Sequence, residues 1–164
     1  MGLDMYLYSR KNGARKTNVK EVAYWRKANA IHGWFVNHCT DDGNLDDCEE
    51  IEISKNNIEA LKQDCLSVLE ILGTDLPKET ISVNSGWRFE NGKAVDVYED
   101  CTVYSKEQRD KVCEILPPTP GFFFGSYNID EWYKSEIENT AKICDEILST
   151  INFDTHTLIY SAWW

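Results

Sequence analysis

Apolar positions recur every three or four residues in some stretches of the chain and alternate in others, and the change of period predicts the elements. Leu3 to Tyr8 alternates as an opening strand, and Lys11-Asn12-Gly13 then reads as a turn or loop. Asn18 with Glu21 three residues on has capping-box spacing, which predicts a first helix from about Val19 to about His38. Glu49 to Ile53 alternates as a short strand. Ser54 opens a second helix in which Ile58, Leu61, Cys65, Val68 and Leu72 share one face, with Gly73 as a left-handed stop. Trp87 to Glu90, Asn91-Gly92 and Lys93 to Tyr98 predict a hairpin, because Asn-Gly tolerates the positive φ angles of a primed turn. Ser105 with Gln108 caps a short third helix to about Leu116, which Pro117 and Pro118 end. Asn128 with Glu131 caps a fourth, whose stripe is Tyr133, Ile137, Thr140, Ala141, Cys144, Leu148 and Ile151. Leu158 to Trp163 closes the chain as a strand.

This order lacks the regular βα alternation of a doubly wound sheet, so the expected class is α+β, with about four helices on a small, mainly antiparallel sheet. The first and last strands are candidates for neighbours. The 164 residues suit one domain, 1–164, with a real core, and no repeat or linker argues for subdivision. Apolar residues make up 42% of the chain and aromatics 12%, which places it among packed globules rather than disordered chains.

A formal charge of −11 disfavours generic binding to nucleic acid or anionic lipid. Against that field, Arg10, Lys11, Arg15, Lys16, Lys20, Arg26 and Lys27 make the first part of the chain basic, so an anionic ligand is expected there; most of these charges are expected to be solvated surface. The six cysteines show no CxxC pair and no signal peptide precedes them, which predicts free thiols, a reducing compartment and a cytoplasmic protein. Cys65, Cys113 and Cys144 fall on helical apolar phases, where cysteine acts as a small hydrophobe. No apolar run approaches a membrane span.

The candidate chemistry lies in Tyr24 to Phe35. On a helix at about 100° per residue, Tyr24, Ala28, Ile31 and Phe35 fall on one flank and Val22, Trp25 and Val36 on the next, and Asn29 and His32 lie inside that arc, with Arg26 and Gly33 at its edge. An amide and an imidazole on such a face either form an internal hydrogen-bond network or line a pocket that a ligand completes. Pro117 to Tyr127 is rigid, aromatic and bracketed by glycines, and its three adjacent Phe residues cannot all face one core. Together these segments give a candidate ligand site. Arg26 would hold an anion, Asn29 and His32 would read polar edges, and Trp25, Phe123, Phe124 or Tyr127 would stack on a flat ring. The plainer reading has Asn29 and His32 bonded to loop carbonyls and the Phe run packed under the fourth helix.

A catalytic set is absent at any diagnostic spacing: His32 and Arg26 lack a second acid or nucleophile, and no phosphate-binding loop, nucleophile elbow or zinc-protease motif occurs. No cofactor or metal is expected. Asp42, Asn44 and Asp46 open like a calcium loop, but Asp47 stands where glycine is needed and Ile53 where a bidentate Glu belongs. His38, Cys39 and Cys48 fall short of four zinc ligands. The acidic loop of Asp41, Asp42, Asp46 and Asp47 is a solvated surface or a face for a basic protein. Trp34 projects away from the apolar arc, as a second packing face or an oligomer contact, so a homodimer is an open expectation.

Met1-Gly2-Leu3-Asp4-Met5-Tyr6-Leu7, Tyr24-Trp25-Arg26-Lys27-Ala28-Asn29, Ile31-His32, Asp47-Cys48 and Gly121-Phe122-Phe123-Phe124-Gly125-Ser126 together resemble an uncharacterised family of small bacteriophage and prophage proteins, along most of the chain. Tyr127-Asn128-Ile129-Asp130 departs from the Tyr-Asp-Glu sequence expected closer behind Ser126. The resemblance implies viral origin and expression in a bacterium, and carries no activity. Small phage proteins are often accessory or counter-defence factors. The first expectation is therefore non-enzymatic sequestration of a small anionic, nucleotide-like ligand. The second is an acidic-surface protein that inhibits a bacterial host protein, and the third is a small His32-dependent hydrolase.

Overall fold

The structure is a computed structural model that describes residues 2–121 and 123–164. It is an α+β fold: β1 (Asp4–Lys11), β2 (Lys20–Arg26), α1 (Asn29–Cys39), β3 (Glu50–Ile53), α2 (Lys55–Leu72), β4 (Glu79–Glu90), β5 (Lys93–Val103), α3 (Lys106–Ile115), α4 (Glu131–Thr150) and β6 (His156–Trp163). β1, β2, β3 and β6 form one antiparallel sheet in the order β2-β1-β6-β3, and β4 with β5 forms a separate two-stranded ribbon. The first and last strands pair along their whole length, from Asp4 opposite Trp163 to Lys11 opposite His156.

Strand alternation fixes the two faces of the sheet. Leu3, Met5 and Leu7 turn inward with Trp25, Leu158, Tyr160 and Ala162, onto the stripes of α2 (Ile58, Leu61, Cys65, Val68) and α4 (Tyr133, Ile137, Cys144). Each fully buried Leu or Ile there contributes roughly 1.5–3 kcal/mol. The outward face carries Tyr6, whose ring lies against Tyr8, Tyr24 and Trp163. No helix among the described residues is long and apolar enough to cross a membrane.

The expected first helix from Val19 is corrected. Lys20–Arg26 is a strand, and the helix begins only at Asn29. Val22, Tyr24 and Trp25 satisfy either period locally, and the unpaired edge of β1 decides between them: Met5 lies opposite Trp25 and Tyr6 opposite Tyr24. Lys27, at φ 58°, turns the chain from strand to helix while its N–H donates to the Leu3 carbonyl at 2.7 Å. Asn18 is not a helix cap; its N–H closes a turn onto the Arg15 carbonyl.

Smaller differences have equally local causes. Gly73 is right-handed (φ −78°). Asp130, not Asn128, caps α4, its carboxylate accepting the Tyr133 N–H at 3.0 Å. The hairpin is longer than its turn signal suggested, and Asn91 (φ 50°) and Gly92 (φ 78°) form its tip. All six cysteines are free, but Cys113 is exposed rather than on a buried phase. Trp34 is a packing residue: it is buried, its indole N–H donates to Asp64 at 2.7 Å, and its ring stacks on His38. That removes it as an oligomer contact.

Candidate functional site

The strand-to-helix break at Lys27 separates residues that a continuous helix would have shared on one face. Trp25 points into the core and its indole N–H donates to the Thr140 hydroxyl at 3.0 Å. Arg26 points outward, beside Asp4 at 3.9 Å, with a mostly exposed side chain. Arg26 therefore does not meet His32. It lines a different cleft of about 300 Å³ with Trp25, Trp132 and Glu136.

Asn29 and His32 remain on one face of α1, and the segment 119–126 packs across it. The Asn29 amide donates to the carbonyls of Phe124 (3.2 Å) and Ser126 (2.8 Å), and its Oδ1 accepts the Thr119 N–H (3.2 Å). Both donors and the acceptor are thereby used by loop backbone, so Asn29 is a clamp. Two glycines permit the approach. A Cβ on Gly33 would lie 1.9 Å from Thr119 Oγ1, and one on Gly121 would lie 2.3 Å from the Phe124 ring. The Phe run divides. Phe124 tucks inward over Gly121, Phe123 is exposed at φ 65°, and Phe122 lies outside the described residues. Phe124 packs on His32 and Trp164 rather than under α4. Tyr127 is exposed; its hydroxyl accepts the Gly121 N–H and donates to the Gly121 carbonyl, and its ring borders a cleft beside Arg109 and Cys113.

His32 is 4% exposed, and its Nδ1 is 2.8 Å from the Tyr160 hydroxyl. Tyr160 is fully buried and no other acceptor for its hydroxyl is found among the described residues; the tautomer that satisfies this buried O–H accepts it at Nδ1 and carries the imidazole proton on Nε2. Burial lowers the His32 pKa to about 4, which keeps the ring neutral at pH 7. Phe124 and Trp164 each present an edge-on ring to it, with centroids at 5.2 and 5.3 Å.

Beyond these rings opens a cleft of about 350 Å³ between α1, the 119–124 segment, the acidic loop and Trp164. Its lining includes His32, Asn37, Asn44, Leu45, Thr119 and Phe124, and none of the lining side chains carries a formal charge. The acidic loop is tied down here: the Cys48 N–H donates to the Ala162 carbonyl, and the Trp164 N–H donates to Asp47 Oδ1. Two amides, a hydroxyl and an imidazole among apolar and aromatic walls suit an uncharged, flat, hydrogen-bonding molecule. An imidazole with a pKa lowered this far is a weak general base at pH 7.

Of the expected ligand residues, the structure gathers His32 and Phe124 at this cleft and seals Asn29 behind it. Trp25, Arg26, Phe123 and Tyr127 lie elsewhere. Leu45, Thr119 and Trp164 were missed, because only the tertiary fold brings them to α1. Glu136 was also missed; burial raises its carboxyl pKa to about 7 beside Arg26 and Trp132. Among the described residues no group of three or more His, Cys, Asp or Glu could hold a metal ion. Comparison with protein-family models, curated proteins and solved structures gave no match.

Proposed function

We propose that the chain is a non-catalytic binding protein that takes a small, flat, uncharged ring of nucleobase type in the His32 cleft. The observation that carries this reading is His32 itself: a buried imidazole held neutral, with Nδ1 engaged by Tyr160, that lines a 350 Å³ cleft together with Phe124 and Trp164. In this reading the ring stacks against Phe124 or Trp164, His32 Nε2 donates to a ring nitrogen or carbonyl, and Asn37, Asn44 or Thr119 completes its edge. The anionic part of the sequence expectation is set aside. Arg26 stands at another cleft, no cation lines this one, and the loop beside it carries Asp41, Asp42, Asp46 and Asp47. The setting, a bacteriophage accessory protein in the cytoplasm of a bacterial host, rests on the phage resemblance and belongs to the same proposal.

The test is native mass spectrometry of the protein purified from a bacterial host, followed by calorimetric titration with adenosine, guanosine, cytidine and uridine and with their 5′-monophosphates. A nucleoside that binds at least as tightly as its phosphate, and weakens tenfold or more in Trp164→Ala and His32→Gln, supports the reading. Tighter binding of the monophosphate, or affinities that neither substitution changes, would overturn it.

A further inference from the structure

Among the described residues, the β4–β5 ribbon is fastened to the body at its base. There Glu79 accepts the Lys106 N–H at 2.9 Å and pairs with Arg109 at 2.8 Å, and Val103 is buried. Beyond this, among the described residues, neither strand packs substantially on another element. A bulge at Ser85, with Gly86 at φ 137°, sits where the base gives way to the exposed arm. The register puts Trp87, Phe89 and Tyr98 on the same outward face, and they are 64%, 69% and 60% exposed. Trp87 meets Phe89 edge-on at 5.2 Å. Three large aromatics in water on an isolated two-stranded ribbon is an arrangement with no folding rationale, since such a ribbon is marginal without cover.

The polar groups on that face say what covers it. Asp96 lies directly opposite Trp87, and Asp100 follows Tyr98 on the same side. Neither makes an ion pair among the described residues, whereas Arg88 is neutralised by Glu90 at 2.6 Å. Aromatic faces next to unpaired carboxylates are the complement of guanidinium and ammonium groups, which gain cation–π attraction and a salt bridge together. Both edges of a two-stranded ribbon are also open to a further strand. The charge of −11 opposes nucleic acid, anionic lipid and a second copy of this acidic chain.

We propose that this outward face is a docking surface for an extended, arginine- or lysine-bearing segment of another protein. Its cations lie over Trp87 and Tyr98 and pair with Asp96 and Asp100, and its backbone adds to a ribbon edge. This surface is independent of the His32 cleft.

The probe is an end-blocked peptide of four Arg-Val repeats, with four Glu-Val repeats as control, titrated into the isotope-labelled full chain and followed by amide NMR and calorimetry. The expected result is that only the Arg-Val peptide shifts residues 84–98, that binding weakens with salt, and that Asp96→Asn with Asp100→Asn, or Trp87→Ser alone, weakens it at least tenfold. These exposed changes leave the rest of the spectrum in place. Equal binding of both peptides, shifts confined to residues outside the ribbon, or no shift at millimolar peptide would overturn the proposal. So would displacement of the peptide by a single-stranded oligonucleotide, which would assign the face to nucleic acid. Self-association in sedimentation velocity that Trp87→Ser abolishes would assign it to a second copy.

Discussion

The α1 cleft and the β4–β5 ribbon are built from the same kinds of residue and treat them in opposite ways. Around α1 every aromatic has neighbours: Phe35 stacks on Tyr160 at 4.2 Å, Trp34 bonds Asp64, and Phe124 closes over Gly121. On the ribbon, Trp87, Phe89 and Tyr98 stand largely in solvent, and the ring contact found there among the described residues is that of Trp87 with Phe89. The difference is one of layers rather than composition. The four-stranded sheet has helices on one face and buries what points that way, whereas the two-stranded ribbon has no helix against its outward face. An apolar ring in the first place is mostly a statement about stability, and in the second it is a statement about association.

Truncation should break the comparison most sharply. Phe124→Ala removes a buried ring from a site that cannot collapse around the Asn29 clamp, and should lower urea-unfolding stability by about 3 kcal/mol. A loss below about 1 kcal/mol would mean that the 119–126 segment contributes little to the fold.

A proton should produce the next largest effect. The His32 pKa is lowered on folding, to about 4, so the unfolded chain binds the extra proton first and stability falls as pH drops from about 6.5 towards 4. The loss attributable to His32 is roughly 2–3 kcal/mol across that window. His32→Gln should flatten the difference between pH 7 and pH 4.5 in chemical denaturation, and an unchanged slope would contradict the buried neutral imidazole.

Glu136 is an intermediate case, half-buried beside the exposed Trp132, and its sign is opposite. Its folded pKa is raised to about 7, so its contribution holds at low pH and is lost as pH rises from about 4.5 through 7. Discounted for its partial exposure, Glu136→Gln should stabilise the chain by about 1 kcal/mol at pH 8 and by little at pH 4.5, read as the difference in melting temperature. On the ribbon, Phe89→Ser should change stability by no more than about 0.5 kcal/mol, with hydrogen exchange in the four-stranded sheet unaffected. A larger loss would mean that the ribbon face is covered by the chain itself.

What could be read from the sequence depended on whether the deciding contact was local. α2 and α3 announce themselves through Ser54 with Asn57 and Ser105 with Gln108, side chains that reach only three residues along. The hairpin turn is equally local in Asn91-Gly92. β2 was hidden because Val19 to Trp25 fits both periods, and its partner, β1, is supplied by pairing that no short window contains. That error carried into the site. Placing Trp25 and Arg26 on a helix put them beside His32, whereas a strand sends one inward and the other outward. His32 and Phe124 were readable as chemistry, but their meeting depends on Gly33 and Gly121 letting two segments touch, and Trp164 arrives through β6. The exposure of Trp87 and Phe89 was invisible for a related reason: nothing in the alternation of a strand says whether a layer lies against it.

The pairing of β1 with β6 bears on how fast the molecule assembles. The Thr157 hydroxyl donates to Asn12 across 145 residues of chain, and every rung of the same ladder spans at least as much sequence. Closing so long a loop must precede the contacts that reward it, so the central strand pair belongs to the slow, high-contact-order end of folding. The β4–β5 ribbon pairs through a two-residue turn and forms on the order of microseconds. Its outward face is thus shaped and exposed while β1 is still waiting for β6.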